Sequence, residues 1–147
     1  MPTVKRSREL RADPDGIWDV LADPHQLPRW WPGLERVEEA TPHTWTKVLR
    51  TKKGRPVRAD FTRLEAQRPR RVLWRQELAE SPFERILSEA TTEITLEPRG
   101  PATRVEIRAV RRLRGMSRFG GFMVRWATRK QLDEALEGLG TATEGRS

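Results

Sequence analysis

Gln76, Ser88, Thr92 and Arg111 share the parity of Trp74, Ala90, Ile107 and Ala109 in segments where apolar and charged positions alternate. A polar group turned towards a dry core costs about 1–3 kcal/mol unless it finds a hydrogen-bond partner. These four therefore point to a wet or ligand-filled interior, unless they satisfy one another or lie at open strand ends. The chemistry they offer is recognition by hydrogen bonding. Covalent chemistry has little to draw on. The sequence has no Cys, which removes disulfides, thiolate zinc sites and a thiol nucleophile together. His25 and His43 fall in turn or loop segments, without HExxH or paired-His spacing. No metal or cofactor is expected. No Ser–His–Asp set can be assembled, and Asp60 and Glu77 read as solvated charges, so no catalytic residue is assigned.

The elements that must position these residues follow from periodicity. Residues 3 to 11 form a polar, extended stretch. Asp13-Pro14-Asp15 is a helix start, with an Asp cap, Pro at the first helical position and an acid in the first turn. The short helix carries an apolar stripe of Ile17, Val20 and Leu21 and stops at Asp23-Pro24. Pro24, Pro28 and Pro32 leave room only for a short helical turn around His25 to Trp31. From Leu34 onward the pattern has period two, as in antiparallel strands with one solvated face. Lys53-Gly54, Arg68-Pro69, Ser81-Pro82 and residues 98 to 101 are the turns. Parity shifts between Phe61 and Leu64, which marks a bulge. After Gly115 the period becomes helical over residues 116 to 139, with the helical phrase Gln131 to Glu137 coming before Gly138 and Gly140. Two apolar stripes there, Phe119/Phe122/Met123/Trp126 and Leu132/Leu136/Leu139, are rotated by about a third of a turn. That rotation predicts a bend near Thr128 to Gln131, or one half over the interior and the other on the sheet edge. The class is α+β, with about six strands after the two short helices and one long helix as cover.

The phrase Asp13-Pro14-Asp15-Gly16-Ile17-Trp18-Asp19-Val20-Leu21-Ala22-Asp23-Pro24, followed by Leu27-Pro28-Arg29-Trp30-Trp31-Pro32-Gly33-Leu34, resembles the opening of a known family. That family is the polyketide cyclase/dehydrase branch of the START/Bet v 1-like (SRPBCC) superfamily. The closing helix, Gln131 to Leu139, is similar in kind, and the resemblance in element order covers nearly the whole chain. It implies a helix-grip fold: a curved antiparallel sheet of seven strands gripping the C-terminal helix, with a cavity between them. Such relatives include aromatic cyclases, lipid and sterol carriers, quinone-binding chaperones and proteins acting on ribosomes or chaperone machines, so fold analogy selects no activity.

With that fold, Phe61, Trp74, Gln76, Ile86, Ser88, Ala90, Thr92, Ile107, Ala109 and Arg111 are expected to line a ligand pocket from the sheet. Phe119, Phe122, Met123 and Trp126 are expected to line it from the helix. Trp30 and Trp31 are adjacent, so in regular backbone they cannot both point inward: either one anchors the core and the other stands at the entrance, or both are partly exposed packing residues. A plain core has the same composition as such a wall. The first functional reading is binding of a hydrophobic, lipid-like or polycyclic small molecule. The second is an aromatic cyclase or dehydrase, in which Arg63, Arg75 and Arg111 would steady an enolate or phenolate.

Composition supplies the third reading and several boundaries. The 147 residues fit one domain over 1–147, with an ordered core of about 3–140. The third reading is a basic protein- or RNA-interaction module, raised by the net charge of +8. Arg118, Arg125 and Arg129, with Arg111, Arg112 and Arg114, could form a basic strip for phosphates, though no aromatic interleaving supports base stacking. Arg residues scattered among Glu read more simply as solvated faces. No run approaches the roughly 20 apolar residues of a membrane span, and residues 1–10 lack a signal-peptide core, so a cytoplasmic location is expected. Nothing in the sequence fixes an oligomeric state.

Overall fold

The computed structural model describes residues 3–50, 54–115 and 121–144. Strand β1 (Thr3–Leu10) leads into helix α1 (Pro14–Leu21), a 3-10 turn (Pro24–Gln26) and the one-turn helix α2 (Leu27–Trp30). Strands β2 (Leu34–Glu38), β3 (Thr44–Leu49), β4 (Val57–Gln67), β5 (Arg71–Glu77), β6 (Leu87–Arg99) and β7 (Ala102–Leu113) follow, and helix α3 (Gly121–Thr143) closes the order. Asp13 caps α1 by accepting from the Gly16 amide at 2.8 Å, and Asp23 caps the next turn by accepting from His25 N–H at 3.0 Å. Proline sits in the first turn of each short segment, where no amide hydrogen is missed.

All seven strands lie in one curved antiparallel sheet of order β1-β7-β6-β5-β4-β3-β2. β2 to β7 form a meander, and β1 crosses over to pair with β7. Side chains alternate between faces, so Ile94, Val105, Ile107 and Ala109 are buried on the concave side. Arg71–Glu93 at 2.6 Å and Arg112–Glu89 at 3.0 Å pair across strands on the other side. The expected bulge is present: the β4–β5 register shifts between Arg63 and Glu65, leaving Leu64 exposed.

Helix α3 differs from the sequence expectation in its end. It runs through Gly138 and Gly140 to Thr143, without stopping at the glycines. A Cβ at Gly138 would come within 2.4 Å of the Trp30 carbonyl oxygen, so this glycine lets α3 pass close to the end of α2. Thr141 and Thr143 donate to the Glu137 and Leu139 carbonyls and keep the last turn helical. The C-terminal half buries Leu132, Ala135, Leu136 and Leu139 against β1, α1 and α2, and Arg6 of β1 pairs with Asp133 at 2.7 Å. A single helical span crosses Thr128 to Gln131, so the rotated stripes are resolved by different surroundings for the two halves. Residues 116–120, where the sequence expectation starts this helix, lie outside the described residues. No helix among the described residues is long and apolar enough to cross a membrane.

Candidate functional site

The concave face holds a partly open cavity of about 200 Å³. β3 contributes Lys47 and Leu49, and β4 contributes Ala59 and Phe61. Trp74 and Gln76 come from β5, Leu87, Ala90 and Thr92 from β6, and Arg111 from β7. Trp31 at the end of α2, Phe83 before β6 and Gln131 of α3 complete the wall. The rings brace one another. Trp31 meets Trp74 edge-on at 6.0 Å, and Trp45 meets Trp74 edge-on at 5.8 Å while stacking on Phe61 at 6.0 Å. Offset and edge-on pairs of this kind hold aromatic walls in fixed geometry.

Lys47 is the unusual member. Trp45, Lys47 and Leu49 alternate on β3, which carries the lysine to the concave face, where it is 2% exposed. Its Nζ lies 4.1 Å from the Trp31 ring centre, 4.4 Å from Phe61 and 5.5 Å from Trp74. Among the described residues it has no hydrogen-bond acceptor and no carboxylate partner. Burial, and then the positive charge of Arg111, hold its pKa well below the ordinary lysine range. The Arg111 guanidinium donates from Nη1 to the carbonyls of Thr91 at 2.7 Å and Val110 at 3.0 Å, and from Nη2 to Thr92 Oγ1 at 3.1 Å. Burial pushes it down to about 10. Gln76 Nε2 is buried without an acceptor. The cavity thus combines aromatic faces with N–H donors, the Arg111 guanidinium and the Lys47 amine, and no carboxylate among the described residues lines it.

Of the residues expected from sequence, the structure brings Trp31, Phe61, Trp74, Gln76, Ala90, Thr92 and Arg111 together around this space. Ile107 and Ala109 are fully buried core beside it and do not line it. Trp30 is also core, with its ring edge-on to Trp31 at 5.5 Å. Both adjacent tryptophans are buried because Trp31 leaves the helix with extended backbone, contrary to the expectation that they cannot both point inward.

Ile86 and Ser88 are corrections. Both are exposed, and Leu87 takes the wall position. The β6–β7 register shifts between Leu87 and Glu89, so a bulge at Ser88 reverses the parity of everything before it. A second correction concerns α3: Phe122, Met123 and Trp126 are 66%, 55% and 58% exposed and do not line this cavity. Trp126 lies under the Lys130 ammonium at 5.6 Å on the outer surface instead. Phe119 lies outside the described residues. Arg63 bonds the Ala22 carbonyl and Arg75 pairs with Glu77 at 2.9 Å, so only Arg111 of the three proposed enolate-steadying arginines reaches the wall. Its inward turn also removes Arg111 from the basic strip, and Arg112 is engaged by Glu89.

The sequence reading missed Lys47, Leu49, Ala59, Phe83, Leu87 and Gln131. A signal existed for the first: a lysine flanked at two residues on either side by Trp45 and Leu49 stands on an apolar parity.

A curved seven-stranded sheet holding a long helix around an aromatic cavity defines a helix-grip protein of the START/SRPBCC superfamily. The family model described as polyketide cyclase/dehydrase and lipid transport matches residues 1–144, and the chain belongs to that family. Among curated proteins none matches the sequence. Solved structures are similar in fold at low identity. A START superfamily protein from Mycobacterium smegmatis is 13% identical with a TM-score of 0.77, over 96% of each chain. XoxI from Bacillus cereus is 15% identical with a TM-score of 0.76, over 97% of this chain and 96% of that one. The di-domain ARO/CYC protein StfQ of the steffimycin biosynthetic pathway is 14% identical with a TM-score of 0.80, over 99% of this chain and 51% of its own.

Proposed function

We propose that this protein binds a small, ring-containing apolar molecule carrying oxygen acceptors, within the cavity between sheet and α3. The observation that carries the reading is the wall itself: Trp31, Phe61 and Trp74 around the Lys47 amine and Gln76 Nε2, which is buried without an acceptor. Unpaired buried donors cost stability, and a ligand oxygen would satisfy them. Size narrows the ligand. About 200 Å³ is below the roughly 300–1,000 Å³ of sites for drug-sized molecules and somewhat above the ~150 Å³ that holds benzene in an engineered core; one or two rings fit.

Titration of 2-naphthol, followed by calorimetry and tryptophan fluorescence, tests this. Saturable one-site binding that Ala90→Leu abolishes, by filling the cavity, is the expected result. A folded wild-type protein with no saturable signal from this or other one- and two-ring probes ends the reading.

The cyclase reading uses the same space. Arg111 and Lys47 would hold an enolate oxygen there, and neutral Lys47 is the wall group that could accept a proton. Turnover of an aromatising poly-β-ketone mimic, lost in Arg111→Gln, would favour it over carriage alone.

A further inference from the structure

Lys47 and Arg111 line one small cavity, and no carboxylate in the described wall compensates them. Every other described residue of that wall is uncharged, on α2, β3, β4, β5, β6 and α3 alike, and so is Phe83. Arg111 is tied to two carbonyls and a hydroxyl, all neutral acceptors. Lys47 has three ring faces and no acceptor. Gln76 adds a third donor with no acceptor inside. The Arg111 charge is met only by neutral dipoles, which compensate it in part, and a second charge on Lys47 beside it would be repelled unless an anion lay between them. The missing component is one negative charge with oxygen acceptors, of a size that fits beside the rings.

We propose that the ligand is a small aromatic acid, a ring bearing a carboxylate, whose anionic oxygens sit between Lys47, Arg111 and Gln76. This rests on the pocket reading above and specifies its chemistry. The proposal has a second consequence. The loss of water on burial, and then the positive field of Arg111, favour neutral Lys47. A bound carboxylate favours the ammonium. Binding must therefore take up a proton at any pH between the lysine value of the free protein and that of the complex. The proton comes from solvent and ends on Nζ; no bond to carbon changes.

Benzoate and its neutral near-isostere benzamide are the probes, titrated calorimetrically from about pH 6 to pH 10, a range below the ordinary lysine value, in buffers of different ionisation enthalpy. Benzoate should bind at least tenfold more tightly than benzamide. It should take up protons in part of this range, and benzamide should not. Lys47→Met should abolish both the preference and the uptake while retaining benzamide. Equal binding of the two probes, or benzoate binding without uptake throughout, overturns the acid proposal and leaves the pocket intact. Failure of benzoate, benzamide and 2-naphthol together overturns the pocket reading itself. The wild-type proton count needs no variant, so an unfolded Lys47→Met would not block the decision.

Discussion

At Lys47 two effects oppose each other. Burial and Arg111 disfavour the ammonium, whereas the faces of Trp31, Phe61 and Trp74 favour it by cation–π attraction. The first effect wins, because the ammonium has lost its water and gained no acceptor. Between the lowered folded value and the ordinary unfolded one, the unfolded chain binds more protons, so stability rises with pH through that window. Below it the penalty is complete, and above the ordinary lysine range it is gone. Lys47→Met, similar in length and uncharged, should therefore raise stability near neutral pH by about 1–3 kcal/mol, the cost of an unsatisfied buried donor. Urea unfolding of wild type and variant at several pH values checks this: the gain must shrink as pH rises. The tryptophans give a second contrast. Trp74→Ala should cost about 3 kcal/mol, at the low end for buried Trp because the adjoining cavity already lacks contacts, whereas Trp126→Ala, 58% exposed, should stay within about 0.5 kcal/mol. Sequence pattern could not separate these two indoles, since apolar spacing on a helix says nothing about whether a partner surface reaches that far.

Among the elements, legibility followed locality. Asp13 with Pro14 announces α1 because cap and first turn are settled within four residues, and the Leu64 bulge shows as a broken alternation. The Ser88 bulge left no such trace: Ile86, Ser88 and Ala90 look like an uninterrupted set, and only pairing with β7 reveals the slip. Likewise, Gly138 and Gly140 read as a helix stop until the approach of Trp30 is known. That approach is testable. Gly138→Ala gains up to about 1 kcal/mol in helix propensity but forces a methyl group onto the α2 backbone, and overpacking of this kind costs about 1–3 kcal/mol. A lowered thermal midpoint is expected. Gly140→Ala should be milder, because the nearest atom its Cβ meets is the flexible Glu144 carboxylate at 2.8 Å.

Over the whole molecule, whose formal charge is +8, Arg–Glu pairs lie on the outer face, whereas Lys47 and Arg111 are held inside without a carboxylate. Outer pairs act at the acid end of the pH range. Hydrogen bonds from Arg36 and Arg58 hold the Glu38 carboxyl below its usual range, so its contribution is present above the ordinary carboxylate value and lost as pH falls through the lowered one. Glu38→Gln should thus be less stable than wild type at neutral pH and converge with it in acid, as measured by thermal unfolding across pH 2 to 7, a span bracketing the carboxylate range. The crossover of β1 carries a consequence in time. Residues Thr3 to Leu10 find their sheet partner only in residues 103 to 110, and their helix partner later still, at Asp133. At elongation rates of about 5–20 residues per second, β1 leaves the ribosome roughly 5–20 s before β7 exists. For that interval it is an unpaired strand, the kind of edge that invites association with other chains. Lys5, Arg6 and Arg8, exposed along it, keep a strand soluble that must wait for the rest of the molecule to arrive.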